Sequence, residues 1–195
     1  LAAIFDPVVD AAPAIATRYG AAVMAVDSIA ADTTIDVVIL CTPTDLHADQ
    51  IEQFARAGKA VFCEKPIDLD AGRVRDCLQV VAETGAPLMV GFNRRFDPHF
   101  MALKAAIEDG RIGTPEMGVI TSRDPGAPPA DYIRRSGGIF RDMMIHDFDM
   151  AVFLMGGMPA SVMATGAVLT DPQIETLGDF DSATVVLRWA DGRQV

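Results

Sequence analysis

Short apolar runs alternate with longer amphipathic stretches through the first 91 residues of the chain. The runs 35–42, 60–63 and 87–91 have the apolar composition of buried strands. Adjacent parallel strands need a long crossover connection, usually a helix, so this alternation predicts a parallel sheet wound with helices. Run 35–42 is apolar almost throughout, which predicts a strand buried on both faces.

The amphipathic stretches are the predicted helices of this half. Several of them end at a glycine, which is a common helix stop. The predicted helices are 8–19, 28–32, 46–57 and 70–84, and two further strands are predicted at 1–5 and 21–25.

The pattern changes after residue 92, where we expect a second domain to begin. Helices are predicted at 97–109 and 140–155, a strand at 116–123, and an irregular loop at 124–129. The runs 161–169 and 182–190 are predicted strands. No helix of crossover length separates them, so they should pair antiparallel. The predicted domains are therefore 1–91 and 92–195.

The charge and cysteine content argue against several classes of protein. Lys and Arg number 16 against 27 Asp and Glu, a net charge of −11, so nucleic acid and anionic membranes are not expected partners. Three cysteines without a Cys-x-x-Cys pair indicate a reduced, cytoplasmic protein. With three histidines and no His-x-x-x-His pair, a metal site is not expected. No signal peptide and no membrane-spanning run is predicted.

Polar residues follow three of the predicted strands: Asp6, then Thr42-Pro43, then Glu64-Lys65-Pro66. The carboxyl ends of parallel strands share one edge, where ligands of open α/β sheets bind, so these residues would line one crevice. In a dinucleotide fold, an aspartate in the position of Asp6 binds the ribose hydroxyls and repels a 2′-phosphate. An ordinary turn aspartate before proline is an alternative of similar weight.

Basic residues near the same edge are candidates for binding a substrate. Lys65 could hold a hydroxyl or ketone oxygen, or it could form an exposed pair with Glu64. Arg94 follows the last strand of the first half and could bind a substrate oxygen, with an ion pair as the alternative. His47, at a helix start, is predicted to be a surface residue rather than a catalyst.

Asp142 and His146 lie four residues apart in an apolar stretch predicted to be one helix, 140–155. Residues four apart share a helix face, so the carboxylate could orient the imidazole. A neutral histidine held by an aspartate is a suitable general base near neutral pH. The alternative is a structural histidine capped by a nearby carboxylate. A titratable pair among apolar side chains favours a functional role, because burying unpaired charge is costly.

Together these motifs resemble the Gfo/Idh/MocA family of NAD(P)-dependent sugar and polyol dehydrogenases, and within it the bacterial enzymes that oxidise inositol. The resemblance extends over essentially all 195 residues. The segments that carry it are Thr42-Pro43 with His47, Glu64-Lys65-Pro66, residues 91–97 (GFNRRFD), and residues 137–149 from the glycine pair through Asp142 and His146 to Asp149.

The resemblance implies an α/β fold in two parts. Residues 1–91 would be a partial NAD(P)-binding Rossmann domain. Residues 92–195 would be a partial α+β domain with a mostly antiparallel sheet, used for substrate binding and oligomerisation. A homo-oligomer, tetramer or dimer, would form through that sheet. The family's first strand, its glycine motif and its last strands have no counterpart here, so we expect a fragment that alone binds NAD poorly.

The resemblance also implies roles for single residues. The catalytic residues would be Lys65, Asp142 and His146. The cofactor-binding residues would be Asp6, Thr42, Pro43, His47, Glu64, Lys65 and Pro66. The substrate-binding residues would be Lys65, Asn93, Arg94, Asp142 and His146. The acid at position 6 implies NAD rather than NADP, and no metal is implied.

The expected reaction is NAD-dependent oxidation of a cyclic polyol, myo-inositol or a close relative, to the ketone. Three alternatives remain open from the sequence. One is a sugar or aldose dehydrogenase of the same family. The second is a non-catalytic ligand-binding or regulatory protein on the same fold. The third is a carbohydrate hydrolase or isomerase that uses bound NAD as a transient oxidant.

Overall fold

A computed structural model of the chain describes residues 1–8 and 10–195. Val9, inside the predicted helix 8–19, lies outside the described residues. The described residues form two compact units, Leu1–Gly91 (unit 1) and Phe92–Val195 (unit 2).

Unit 1 alternates strands with helices, and all of its strand pairs are parallel, as predicted. Its elements are β1 (Ala3–Ile4), α1 (Ala11–Tyr19), β2 (Ala22–Val23), α2 (Val26–Ala31), β3 (Val37–Leu40), α3 (His47–Arg56), β4 (Ala60–Cys63), α4 (Ala71–Thr84) and β5 (Leu88–Val90). The strands pair as β1–β2 and as β3–β4–β5. The carboxyl ends of β3, β4 and β5 therefore lie along one edge of their sheet.

Helices α3 and α4 cover one face of the β3–β4–β5 sheet. Side chains from α3, β4 and α4, including Ile51, Phe54 and Cys63, form its core. Burying a side chain of this size is worth about 1.5–3 kcal/mol. Arg73 of α4 also forms ion pairs with Asp49 and Glu52 of α3, so the two helices are joined outside the core.

The strand predicted at 35–42 is shorter than expected and is not buried on both faces. It spans Val37–Leu40, and Val37 and Ile39 are 59% and 67% exposed. Their neighbours Val38 and Leu40 point to the opposite face and pack with the core beneath α3 and α4. The prediction of burial on both faces was wrong, because an unbroken apolar run does not show whether the chain itself covers one sheet face or both.

Unit 2 combines helices with an antiparallel strand pair. Its elements are α5 (Pro98–Glu108), α6 (Ala130–Ser136), α7 (Ile145–Met155), β6 (Ser161–Ala167), α8 (Gln173–Thr176) and β7 (Ser182–Arg188). The pair β6–β7 runs in register from Ser161 opposite Arg188 to Ala167 opposite Ser182, which confirms the antiparallel prediction. The α7 residues Ala151 and Met155 pack against Leu187 and Trp189 to form the core of this unit.

Two predictions for unit 2 were wrong. Residues 116–123 do not form a strand, since their one β-bridge in the described part of the chain joins Met117 to Gln194. Apolar alternation alone cannot make a strand without a neighbour along its length. The predicted helix 140–155 is also not continuous. It consists of a π-helical turn, Ile139–Met143, followed by α7.

Across residues 1–8 and 10–195, no helix combines the length and apolarity needed to cross a bilayer. Over the same residues, no three His, Cys, Asp or Glu side chains are grouped so as to hold a metal ion.

Asp181 supports the turn between β6 and α8. Its carboxylate accepts hydrogen bonds from the backbone N–H groups of Leu169, Thr170 and Asp171, at 2.7–2.9 Å. The hydrogen bond from the Leu169 N–H is the largest cause that holds the pKa of Asp181 well below its ordinary value. The other two backbone donors and the Ser182 hydroxyl lower the pKa further. The charged form of Asp181 is therefore the form that supports this turn.

We expect Asp181→Asn to lower the melting temperature at neutral pH. A carboxylate with a lowered folded-state pKa stabilises the fold above its unfolded-state pKa, and this stabilisation disappears as the pH falls through the folded-state value. The difference in melting temperature between wild type and variant should therefore shrink below about pH 4. Asp131→Asn, which removes an exposed ion pair with Arg134, is the control and should change little. A difference for Asp181→Asn that does not depend on pH would contradict this account.

Candidate active site

The strand ends of unit 1 place several predicted residues along one edge. Lys65 and Glu64 follow β4 directly, and Thr42 and Pro43 follow β3. The Glu64 carboxylate lies against Gly91 at the end of β5, where an added Cβ would come within 3.0 Å of Oε2. Asp6 follows β1, and its Oδ1 accepts a hydrogen bond from the Val8 N–H at 2.8 Å, the turn predicted as an alternative.

His47 is buried rather than exposed, so the surface prediction for this residue was wrong. The residue is 1% exposed. Nδ1 lies 2.7 Å from the Pro66 carbonyl oxygen and Nε2 lies 2.7 Å from the Thr42 carbonyl oxygen. The ring thus joins the loop after β3 to the loop that contains Lys65. Both ring nitrogens are thus directed at backbone carbonyl groups, and the role of His47 is to hold these two loops in position.

Asp142 lies in the π-helical turn of unit 2, and His146 lies in the first turn of α7. The turn is defined by the hydrogen bond from the Met144 N–H to the Ile139 carbonyl at 2.8 Å, which spans five residues instead of four. The side chains of Asp142 and His146 are both partly buried. The Asp142 Oδ1 atom accepts a hydrogen bond from the Tyr132 hydroxyl at 3.0 Å.

Asp179 fixes the beginning of this turn. Its two carboxylate oxygens lie 3.2 and 3.1 Å from the Ile139 N–H group, which donates to them. The adjacent Gly138 has a φ of 71° and a ψ of −166°, and a Cβ added there would overlap the same carboxylate. The segment before β7 therefore holds the turn that carries Asp142.

Arg94 forms a three-residue network beside the first turn of α7. Its Nη1 donates to Asp147 Oδ1 at 2.6 Å and to Ser122 Oγ at 3.3 Å, and the Ser122 hydroxyl donates to the same Asp147 oxygen at 2.6 Å. Asp147 is buried, and a buried carboxylate needs such donors. Since Asp147 directly follows His146, the guanidinium of Arg94 is fixed beside the turn that carries this histidine.

Arg95 is also used within unit 2. Its guanidinium makes a two-pronged ion pair with Asp149, with N–O distances of 2.6–3.0 Å, and it lies 5.3 Å from the centre of the Phe153 ring. The two-pronged geometry is the stronger form of such pairs. Both arginines therefore tie the segment after Phe92 to α7, where the sequence suggested an ion pair for one of them.

Comparison with known proteins assigns both halves of the chain to one family. Residues 1–92 match the model of the oxidoreductase family with an NAD-binding Rossmann fold, and residues 100–195 match the GFO/IDH/MocA C-terminal domain. The chain belongs to the Gfo/Idh/MocA family. Its parallel sheet in unit 1 and its antiparallel pair in unit 2 agree with this fold, as predicted.

Individual members of the Gfo/Idh/MocA family are similar over the full chain. An inositol 2-dehydrogenase of Rhizobium meliloti is 66% identical over 194 residues, which is 100% of this chain and 59% of that protein. The crystal structure of a myo-inositol dehydrogenase from Corynebacterium glutamicum superposes with a TM-score of 0.93 at 42% identity, covering 100% of this chain and 58% of that one. The chain therefore spans about half to three-fifths of the length of the relatives it matches.

A second solved structure that is similar to this chain contains ligands. It is a scyllo-inositol dehydrogenase from Lactobacillus casei with bound cofactor NAD(H) and scyllo-inositol. It matches with a TM-score of 0.82 at 27% identity, over 100% of this chain and 59% of that chain.

The structure of the present chain places some of the predicted site residues near one another and shows others that contact them. Asp142, His146 and Arg94 belong to neighbouring segments of unit 2, whereas Asn93 is exposed beside Arg94. Sequence reasoning missed Ser122 and Tyr132, which contact Arg94 and Asp142, and Asp179, which accepts from the Ile139 N–H. It also gave no site role to Asp147, which pairs with Arg94. Asp147 had a usable signal, because it is an acid on an apolar helix next to the predicted base. The other three are distant in sequence from their partners.

Proposed function

We propose that this protein catalyses the NAD-dependent oxidation of myo-inositol, or of a closely related cyclic polyol, to the ketone. The observation that carries the proposal is the 66% identity, over 194 residues, to the relative named inositol 2-dehydrogenase. The chemistry of the retained side chains supports it, since a lysine, an aspartate and a histidine are suited to moving a hydroxyl proton and holding the resulting oxygen.

The strand ends of unit 1 fit a dinucleotide. Asp6 follows a parallel strand, and its carboxylate can accept hydrogen bonds from ribose hydroxyls, which favours NAD over NADP. The loops after β3 and β4, held to each other by His47, place Thr42, Pro43 and Glu64 at the sheet edge where such ligands bind. When bound, NAD supplies a hydride acceptor.

Each catalytic candidate has a separate role in this proposal. His146 takes the proton from the reacting hydroxyl group as the alcohol is oxidised. Asp142 orients the imidazole and stabilises its protonated form. Lys65 donates a hydrogen bond to the substrate oxygen and stabilises the negative charge that develops on it. Arg94 and Asn93 bind other hydroxyl groups of the polyol.

We also propose that copies of the protein associate through the sheet of unit 2 and work in the cytoplasm. The β6 residue Met163, on the sheet face opposite to the buried Leu187, is 70% exposed. Exposed apolar side chains on a sheet are a typical feature of a surface used for association.

The decisive experiment is an assay of NADH formation with the full-length protein, NAD and myo-inositol. We expect myo-inositol to give the highest kcat/KM in a panel that also contains scyllo-inositol and an aldose, and NADP to be a poorer cofactor. Highest activity on the aldose would move the assignment to a sugar dehydrogenase of the same family. A polyol that binds without any NADH formation would contradict the proposed oxidation.

A further inference from the structure

Tyr132 is a half-exposed side chain whose polar end is directed at a proposed catalytic group. It is 49% exposed, and its hydroxyl donates to Asp142 Oδ1 at 3.0 Å. We propose that Tyr132 is a positioning residue that holds the Asp142 carboxylate in the orientation needed for catalysis. This inference rests on the proposed function of Asp142.

The backbone explains why these two residues meet. Tyr132 lies on α6, which is anchored by the buried side chains of Ile133 and Ser136. Gly137 and Gly138, both with positive φ, follow α6 directly and reverse the chain into the π-helical turn. Because the chain turns at these two glycines, α6 lies next to the π-helical turn, and Tyr132 is placed beside Asp142.

Asp142 has a particular need for such a contact. It lies in an irregular turn rather than inside a regular helix, and its side chain is partly buried. The hydroxyl of Tyr132 is carried on a rigid ring with few rotatable bonds, so its position costs little conformational entropy.

The surroundings of the phenol are consistent with the contact. Burial, followed by the charge of Asp142 and the hydrogen bond to it, raises the pKa of Tyr132 to about 12. The hydroxyl is therefore fully protonated, and able to donate, throughout the pH range in which a histidine base works.

The first test measures the contact without any turnover. The alkaline absorbance titration of the full-length protein is compared with that of Tyr132→Phe, and the difference reports Tyr132 alone. At about pH 11 this phenol should be roughly one-tenth ionised, whereas an ordinary tyrosine would be roughly nine-tenths ionised. Asp142→Asn should lower its titration point. An unchanged titration of Tyr132 in Asp142→Asn would overturn the proposal.

The second test measures the consequence for catalysis. Tyr132→Phe keeps the ring and removes the donor, so kcat should fall about tenfold, as expected for a lost hydrogen bond to a charged group. The KM for NAD should stay within about twofold, because the cofactor contacts are unchanged. Tyr19→Phe, the matched change at the other tyrosine of the chain, should leave both parameters unchanged.

The outcomes separate the proposal from the function on which it rests. A lowered melting temperature with wild-type kcat would mean that Tyr132 is only structural, and would overturn the positioning role. Tighter substrate binding in Tyr132→Phe would also overturn it, because the hydroxyl would then be competing with substrate for Asp142. Absence of NADH formation by the wild-type protein would instead contradict the proposed function, while the titration would still decide whether the contact exists.

Discussion

His146→Ala is expected to reduce kcat by roughly 10²- to 10⁴-fold, the usual contribution of a positioned general base. The imidazole of His146 is the proposed acceptor of the hydroxyl proton, and no smaller side chain can replace it. Binding of NAD should be nearly unchanged, because the proposed cofactor residues belong to unit 1. Steady-state kinetics of NADH formation and titration of NAD binding by fluorescence measure the two quantities on the same sample.

The other histidines of the chain are informative controls. His99, which is exposed on α5, should tolerate replacement by alanine with little effect on turnover. His47→Ala should instead lower stability and weaken NAD binding, because it removes the link between the loops after β3 and β4. Normal turnover in His146→Ala would exclude this residue as the base, and equal losses in kcat and NAD affinity would indicate a general disruption of the fold.

Much of unit 1 could be predicted because its signals are local. Each strand is a short apolar run, and each helix has its own apolar period. Helix α4, for example, has a capping aspartate, Asp70, before its start and Gly85 after its end. The positions of Lys65 and Asp6 followed from the strand ends. What could not be predicted is the role of His47, because its two partners, Thr42 and Pro66, are set by how neighbouring strands align.

In unit 2 the candidate catalytic residues could be predicted, but the residues that hold them in place could not. Asp142 and His146 were recognised from residue type and spacing. The π-helical turn that contains Asp142 was not recognised, because a backbone hydrogen bond that spans five residues instead of four leaves no mark in apolar periodicity. The contacts of Asp147 with Arg94, and of Asp179 with Ile139, join residues 53 and 40 positions apart, and only the folded chain identifies such pairs.

Gly138 packs beside Asp179, and its replacement is the second change for which we expect a large effect. Gly138→Ala should destabilise the protein by about 3 kcal/mol and lower kcat well below that of the wild type. The backbone of Gly138, with a φ of 71° and a ψ of −166°, lies in a region that is essentially restricted to glycine. An added Cβ would also overlap the Asp179 carboxylate, which must move and so release the Ile139 N–H. Denaturant unfolding and NADH formation measure the two effects.

Gly157→Ala separates backbone strain from the loss of this contact. Gly157 also has a positive φ, 67°, but a Cβ there would meet no atom within 4 Å. Its replacement should cost about 1–2 kcal/mol of strain and leave kcat of the folded protein unchanged. Asp179→Asn should lower kcat without the backbone strain, because it weakens only the acceptor for Ile139. If Gly138→Ala and Gly157→Ala lowered stability equally and left kcat unchanged, then the turn that carries Asp142 would not depend on Asp179, and the orientation of that carboxylate would have to come from Tyr132 and α7 alone.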